Sequence, residues 1–443
     1  MNVTSKRERS AYGSWFLGQN MIYMLVTSYL AIFLTDEVGI TAVAVATLFL
    51  VARIWDAVND PMLGAIVDKV NPKKGKFKPW VDAVTLFIPI ITIALFWSFN
   101  GSQPFNLAYA YISYIVWGML YTISDVPIFA LATTMTDIPD ERVKIMSIGR
   151  LTAAIGSIAV GLAAPQFIAN LGYQSTVIIL MSVALILMIP LRFFVKERVR
   201  YHRSHTVTIT SMIKAIFTNK YLLIFYAGYL AITSTLTSMT IAPYFAKWNL
   251  GDIGTQTTIM ATMAIPMFLV PIFTPLLVSK FGKRKLIIYG LGSSIVLSII
   301  QYFMGYDRFI IFLLLNALKS VGLFMPMLMM GIFSADCVEY GAYMTGKRNE
   351  GVIFSVQTFS TKLGGAIASA VSLLVIRAYG YEGTLLTQTD EALQGIWITI
   401  SLIPTIGLVI AFFVFLFFYK LSEDDVSRMI NEMKSRDLST ESR

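Results

Sequence analysis

Arg53, Asp56, Asn59 and Asp60 fall within one apolar run of helical length, Arg53-Ile-Trp-Asp56-Ala-Val-Asn59-Asp60-Pro-Met-Leu-Gly64-Ala-Ile-Val-Asp68-Lys69. At about 100° per residue, Arg53 and Asp60 come almost into line, Asp56 lies between them, and Asn59 borders the row. A charge at the centre of a bilayer costs about 2.5–3.5 kcal/mol on insertion scales, so this face must look into protein or a water-filled cavity. Two carboxylates and an amide oxygen are ligands suited to a hard cation such as Na+. Alternatively, a proton can occupy one of the acids, because a nearby like charge raises a carboxyl pKa. The plainer reading is a structural ion pair with Arg53.

A second polar set, Gly118, Tyr121, Thr122 and Asp125, occupies another apolar run. Tyr121 and Asp125 share a helix face. Asp125 can accept hydrogen bonds from substrate hydroxyls, and Thr122 can add an oxygen to the cation; the plain alternative is a polar contact between helices. Arg150 and Lys362 can balance the acids or donate to a polyhydroxyl substrate. Arg150 can instead snorkel to the membrane surface, whereas Lys362 lies deeper. Trp15, Trp55 and Phe129 could stack on sugar rings, but aromatics in membrane helices more often serve packing or the interfacial belt. Asp68, Lys76, Lys78, Asp137, Arg142, Asp336, Glu339, Lys347 and Arg348 stand at the ends of apolar runs. They are read either as gate charges that pair across two halves or as solvated loop charge.

The elements that position these residues follow from composition. Of 443 residues, 56% are hydrophobic and 14% charged. A soluble domain carries about 25% charged residues, so this is an all-α, multi-pass membrane protein. A crossing needs roughly 20 apolar residues. Twelve runs fit: 12–35, 41–68, 80–100, 105–136, 145–170, 174–195, 221–247, 253–280, 286–304, 308–335, 351–380 and 393–420. The alternating pattern of a membrane barrel is absent. Lys and Arg cluster in the N-terminal tail and in the loops after spans 2, 4, 6, 8 and 10. Only Lys247, Arg308 and Arg377 fall on the other side, which places both termini in the cytoplasm. The net charge of +9 thus reflects membrane topology and not nucleic-acid binding. The first span lacks a small-residue cleavage pattern and reads as a retained crossing.

Cys337 is the only cysteine, so no internal disulfide and no cysteine metal site is expected. His202 and His205 fall in a loop, which argues against an intramembrane histidine relay. With no P-loop, zinc motif or nucleophile–base set, no catalysis and no cofactor is expected beyond the coupling cation, Na+ or H+. The chain divides into an N-terminal six-helix bundle (1–195) carrying the cation site, a polar central loop (196–220), and a C-terminal six-helix bundle with a short tail (221–443). Val67-Asp-Lys69 with Lys73-Lys74-Gly75-Lys76 echoes Val278-Ser-Lys280 with Gly282-Lys283-Arg284-Lys285. This repeat suggests the major-facilitator architecture, with substrate bound between halves. In a 211-residue register, Arg53, Asp56 and Asp60 fall opposite Ala264, Met267 and Pro271. The scaffold's symmetry does not require the charges, so function explains them better.

Arg53-x-x-Asp56-x-x-Asn59-Asp60-Pro61-x-x-Gly64, followed by Gly75-Lys-Phe-Lys78-Pro79-Trp80, resembles the glycoside–pentoside–hexuronide:cation symporters, whose best-known member is the melibiose permease. Ala335-Asp336-Cys-Val-Glu339-Tyr340-Gly341, Thr345-Gly346-Lys347-Arg348-x-Glu350-Gly351 and Ser355-Val-Gln357-Thr358-Phe-x-x-Lys362-Leu-Gly364 agree with it. The resemblance covers the whole chain and implies sugar uptake driven by Na+, H+ or a similar cation. It implies a cation site at Asp56, Asn59, Asp60 and Thr122, with Arg53 as charge support. It implies a sugar pocket at Tyr121, Asp125, Arg150, Gln357, Thr358 and Lys362, and Gln19, Asn20 and Phe129, where the chain departs from the family pattern, are added as substrate-binding candidates. The cytoplasmic gate would comprise Asp137, Arg142, Asp336, Glu339 and Arg348. The chain departs from the melibiose permease pattern: Gln19-Asn20 replaces a Lys-Asp pair, Phe129 and Met327 each replace a Trp, and Ala342 stands where an acid is frequent. α-Galactoside specificity therefore does not carry over. The expected partners are a small sugar, a monovalent cation and the lipid bilayer; the expected state is a monomer. A hexuronide, a lysolipid or another solute is the alternative substrate on the same scaffold.

Overall fold

The computed structural model describes residues 3–70, 75–99, 101–199, 209–345 and 350–441. They are helical, with no strand among the described residues. The helices are α1 (Lys6–Ile32), α2 (Ala42–Lys69), α3 (Lys78–Leu95), α4 (Gln103–Met135), α5 (Pro139–Phe194), α6 (Ile209–Thr218) and α7 (Lys220–Ile232). They continue as α8 (Thr237–Tyr244), α9 (Gln256–Phe281), α10 (Lys283–Met304), α11 (Phe309–Thr345), α12 (Glu350–Ala378), α13 (Asp390–Phe413) and α14 (Glu423–Glu441). Among the described residues, ten helical segments are long and apolar enough to cross a membrane.

Two expected spans, 145–170 and 174–195, run together as α5. Their junction is Gly172, whose φ of 75° breaks the helix in a conformation that favours glycine. The expected span 221–247 is α7 and α8 joined through a tight turn at Thr233–Leu236. The central stretch, expected to be a loop, contains the short helix α6.

Helix starts follow local chemistry. Ser5 and Glu8 form a reciprocal capping box on α1, and Thr41 and Asn219 cap α2 and α7 through their side chains. α3 uses a distant cap. Glu197, just beyond α5, accepts from the backbone N–H groups of Lys76, Phe77 and Lys78 at 2.9, 2.8 and 2.6 Å. A carboxylate at a helix N-terminus satisfies free donors and complements the helix dipole. Glu423 does the same for α10, accepting from the Lys283 N–H at 2.6 Å. We expect Glu197→Ala to destabilise the protein by about 2 kcal/mol, the upper range for a lost cap. Thermal unfolding in detergent, followed by circular dichroism, checks this; an unchanged midpoint would show that water replaces the cap at no cost.

The chain forms two compact units. The first comprises Met1–Thr206, Met239–Met260 and Ala370–Ile396. Its core includes Trp15, Tyr12, Tyr29, Phe33 and Phe96, all essentially buried. The Trp15 indole donates to the Thr85 hydroxyl at 2.7 Å, which gives this tryptophan a packing role and not a sugar-stacking one. Hydroxyls inside the unit return to their own helices, as with Thr85 to the Val81 carbonyl and Thr92 to the Ile88 carbonyl, both at 2.7 Å. Apolar surroundings leave such groups no water to bond.

The second unit comprises Val207–Ser238, Ala261–Ser369 and Trp397–Arg443. Phe225, Phe333, Phe415 and Tyr419 form its buried aromatic centre, and Val426 of α14 packs against it. Within this unit Lys319 of α11 donates to the Gln301 side-chain oxygen at 2.6 Å. A lysine embedded in an apolar helix is a strong sequence signal, yet its acceptor here is a neutral amide.

Candidate functional site

The polar face of α2 belongs to the first unit, and α4 supplies what it meets. Arg53 donates to Asp56 at 2.8 Å, one turn along α2. Their side chains are 22% and 14% exposed, so the pair is neither a solvated surface bridge nor a fully dry one. Thr122 of α4 donates to Asp60 at 2.8 Å. Gly118 sits one turn earlier on α4, and a Cβ there would come within 3.4 Å of the Asp56 Oδ1. That distance is an ordinary contact, so Asp56 lies beside α4 at this turn.

Asn59 is fully buried, and neither its oxygen nor its nitrogen has a hydrogen-bond partner. An unpaired buried amide costs roughly 1–3 kcal/mol. Native structures seldom keep such groups without a bound ion, a water or a functional role. Asp56, Asn59, Asp60 and Thr122 are all oxygen donors on adjoining helix faces, the chemistry that suits a hard cation. They fit Na+ or a carboxyl-bound proton. Among the described residues, no cluster of His, Cys, Asp and Glu suits a transition metal.

The expected sugar residues of the first unit begin one turn further along α4. Gln19 of α1 donates to Ser124 at 2.9 Å and lies 3.5 Å from Asp125 Oδ1. Ser124 in turn donates to the Tyr121 carbonyl at 2.7 Å. Asn20 is turned to its own helix and donates to the Phe16 carbonyl at 3.0 Å. Tyr121 stacks on Trp117 with centroids 5.2 Å apart, and the tilted ring of Tyr23 lies 5.3 Å from it. Trp117 is anchored by its indole N–H to Thr92 at 3.1 Å. Phe129 meets Phe16 edge-on at 5.2 Å and remains 39% exposed. Arg150 is exposed on α5, and Trp55 is exposed on α2. Tyr23 and Ser124 were not singled out in the sequence, although Tyr23 stands one helical turn from Gln19 and thus on its face.

The remaining expected sugar residues lie in the second unit. Gln357 accepts from the Ser334 hydroxyl at 2.9 Å, and Ser334 lies 3.1 Å from the Tyr226 hydroxyl. Thr358 is exposed and Lys362 half-buried on α12. Of the expected gate residues, Asp336 pairs with Lys283 inside the second unit, and Glu339 is half-buried beside it on α11. Asp137 is exposed, and Arg142 donates to the Thr136 carbonyl at 2.9 Å. Lys78 bridges Asp82 at 2.6 Å. Lys347 and Arg348 lie outside the described residues, as does the side chain of Asp68.

Residues 11–423 match the family model described as MFS/sugar transport protein. The chain is 31% identical over 441 residues to the uncharacterized symporter YnaJ of Bacillus subtilis (strain 168), covering 97% of this chain and 95% of that one. It is 27% identical to the isoprimeverose transporter of Lactiplantibacillus pentosus, covering 95% and 90%. It is 24% identical to the glucuronide carrier protein homolog of Escherichia coli (strain K12), covering 95% and 93%. The fold resembles that of the nucleoside transporter NupG with a TM-score of 0.69, at 14% identity, over 93% of this chain and 100% of that one. A matched span of this length, over apolar helices that carry the motifs on α2, α11 and α12, makes the chain a multi-pass membrane transporter and not an enzyme: it belongs to the MFS/sugar transport family, that of the glycoside–pentoside–hexuronide:cation symporters.

Proposed function

We propose that the chain is a secondary active symporter that takes up a glycoside with Na+ or H+ by alternating access. The glycoside is of di- or oligosaccharide size and of galactoside or pentoside type. The observation that supports this most is the division of labour along α4: Thr122 reaches Asp60, while Asp125, one turn on, faces Gln19. One rigid helix thus touches both the acid row and the hydroxyl-recognising set. In this reading the cation binds first, neutralises Asp56 and Asp60, and steadies α4 for the sugar. Such coupling is reciprocal, so the sugar must tighten the cation by the same factor. Arg53 allows two carboxylates to coexist while the cation is absent. Gln357, Thr358 and Lys362 supply the sugar contacts of the C-terminal half.

The architecture proposed is twelve crossings, six plus six about the stretch 196–220. It counts α5 as two crossings, α7 with α8 as one, and α2 as the polar one. The Lys/Arg-rich loops face the cytoplasm together with both termini, and Asp137, Arg142, Asp336, Glu339 and Arg348 gate that side. A monomer suffices for the mechanism.

The decisive measurement is uptake of a glycoside panel into vesicles under imposed Na+ or H+ gradients. We expect at least one neutral glycoside to accumulate above equilibrium with one cation and not the other. Accumulation of none, with accumulation of a lysolipid instead, would overturn the reading. The similarity to proteins named glucuronide carrier homolog and putative sulfoquinovose importer favours one second reading, an acidic sugar. Its carboxylate or sulfonate would need a cationic partner, with Arg150 and Lys362 as the candidates. A glucuronide belongs in the same panel and separates the two.

A further inference from the structure

The ends of α1 and α8 are built alike. After α1 the chain makes a widened turn over Phe33–Glu37, closed by the Val38 N–H to the Phe33 carbonyl at 3.1 Å. After α8 it makes the same turn over Phe245–Asn249, closed by the Leu250 N–H to the Phe245 carbonyl at 3.1 Å. The next bonds also match: Ile40 N–H to the Leu34 carbonyl at 2.9 Å, and Asp252 N–H to the Ala246 carbonyl at 3.1 Å. Gly39 and Gly251 then leave each turn with φ of 76° and 78°. The repeat has an offset of 212 residues (33 to 245, 39 to 251). A turn of this kind ends a helix whatever its side chains, so the scaffold does not dictate what the turns carry. The first carries an acid, Asp36; the second carries a base, Lys247.

These two groups meet inside the first unit. Lys247 donates to Asp36 Oδ2 at 2.6 Å, and the Trp248 indole donates to the same oxygen at 3.1 Å. The other oxygen, Oδ1, accepts from the Thr35 hydroxyl at 2.8 Å and from the Tyr381 hydroxyl. The Asp36 side chain is fully buried. Tyr244 lies 3.0 Å from the Thr35 hydroxyl and packs edge-on against Tyr381. The carboxylate is therefore held by donors from three separate stretches, at 35–36, 247–248 and 381. Removing one donor leaves a buried charge partly unpaired, which is expensive. Parting all three stretches lets water hydrate Asp36 and Lys247 together. Intermediate arrangements are the costly ones, and a contact of this kind has two stable conditions.

We propose that Asp36, Lys247, Trp248 and Tyr381 form a latch that closes the end of the transporter opposite the Lys/Arg-rich loops. Its opening admits substrate from that side. The latch lies at the C-terminal end of α1, away from Lys6, Arg7 and Arg9, and at the C-terminal end of the α7–α8 stretch, away from Lys220, which places it on the outer face in the topology proposed above. The inference rests on that topology and on alternating access, but not on which sugar is carried. A plain structural staple would hold with apolar packing, and would not need a buried charge that is stable only when fully paired or fully hydrated.

The test is thiol labelling, which needs no substrate. Ala246 is fully buried beside Lys247, and the native Cys337 is buried in the other unit. In an Ala246→Cys background, a membrane-impermeant maleimide is applied from the outer side of right-side-out vesicles. We expect Lys247→Met to raise the labelling rate at least tenfold, and the exchanged pair Asp36→Lys with Lys247→Asp to bring it back toward the parent. Tyr381→Phe, which removes one hydroxyl and keeps the ring, should raise the rate by a smaller factor and serves if Lys247→Met does not fold. Equal labelling in the parent, Lys247→Met and Tyr381→Phe would overturn the latch. So would labelling as fast in the exchanged pair as in Lys247→Met. Failure of every glycoside in the uptake panel would overturn the sugar reading and leave this result standing.

Discussion

We expect Asp60→Asn and Asp56→Cys each to abolish uphill accumulation while leaving measurable sugar binding. The expectation follows from where the two acids sit. Asp60 accepts from Thr122 and Asp56 from Arg53, so each carboxylate is tied to a different partner and neither substitutes for the other. Coupling requires a cation to travel with the sugar and carry its charge across the membrane potential. That potential contributes about 2.3 kcal/mol per charge per 100 mV, which corresponds to roughly a 50-fold concentration ratio. Without the cation site this gain disappears, and the internal-to-external ratio of a labelled glycoside should fall to about one. Equilibrium sugar binding, read by ligand protection or counterflow, should persist, because Asp125 and Gln19 are untouched. Thr122→Ala should act in the same direction but less, weakening the cation by about tenfold, the value of one hydrogen bond to a charged group. Undiminished accumulation in both acid variants would remove the cation site from α2.

Asn59→Leu should separate a ligand from a packing defect by sign. The Asn59 amide is buried with no partner, and leaving it so costs roughly 1–3 kcal/mol. Leu has nearly the same size and no polar group. In cation-free buffer the variant should therefore unfold at a higher temperature than the parent. A bound cation stabilises a protein by RT ln(1 + [L]/Kd), about 2.7 kcal/mol at a hundredfold excess over Kd. If the amide oxygen is a ligand, Asn59→Leu loses most of this Na+-dependent shift even though its cation-free form is the more stable. Thermal unfolding with and without Na+ reads both quantities in one experiment. A full Na+ shift in the variant would reduce Asn59 to a cavity-lining residue, and a proton-coupled carrier would show no Na+ shift in either form.

Much of this protein is legible from its residues in order. An intramembrane charge is so costly that Arg53, Asp56 and Asp60 announced a polar helix face before any packing was known. The helical period put Tyr121 with Asp125 on one face and Thr122 beside them. The motifs on α2, α11 and α12 were specific enough to reach the family, because they combine charges, glycines and a proline that a generic apolar helix would not carry.

Tertiary structure alone decided which partner each group found. Arg53 is nearly in line with Asp60 on a helical wheel, yet it pairs with Asp56, the acid one turn away that its side chain reaches directly. Thr122 meets Asp60, a residue 62 positions away, because of how α2 lies against α4, which no periodicity encodes. Trp15 became core and not platform when Thr85 of α3 arrived to accept its indole N–H. Glu197, an ordinary loop acid by sequence, caps a helix more than a hundred residues earlier. Asp36 and Lys247 look like unremarkable charges at the ends of apolar runs until the repeat turns bring them together. Spacing along the chain fixes faces and ends over a few residues. Contacts across tens or hundreds of residues depend on how helices pack, and packing is set by the whole surface of each helix rather than by the residues that finally touch.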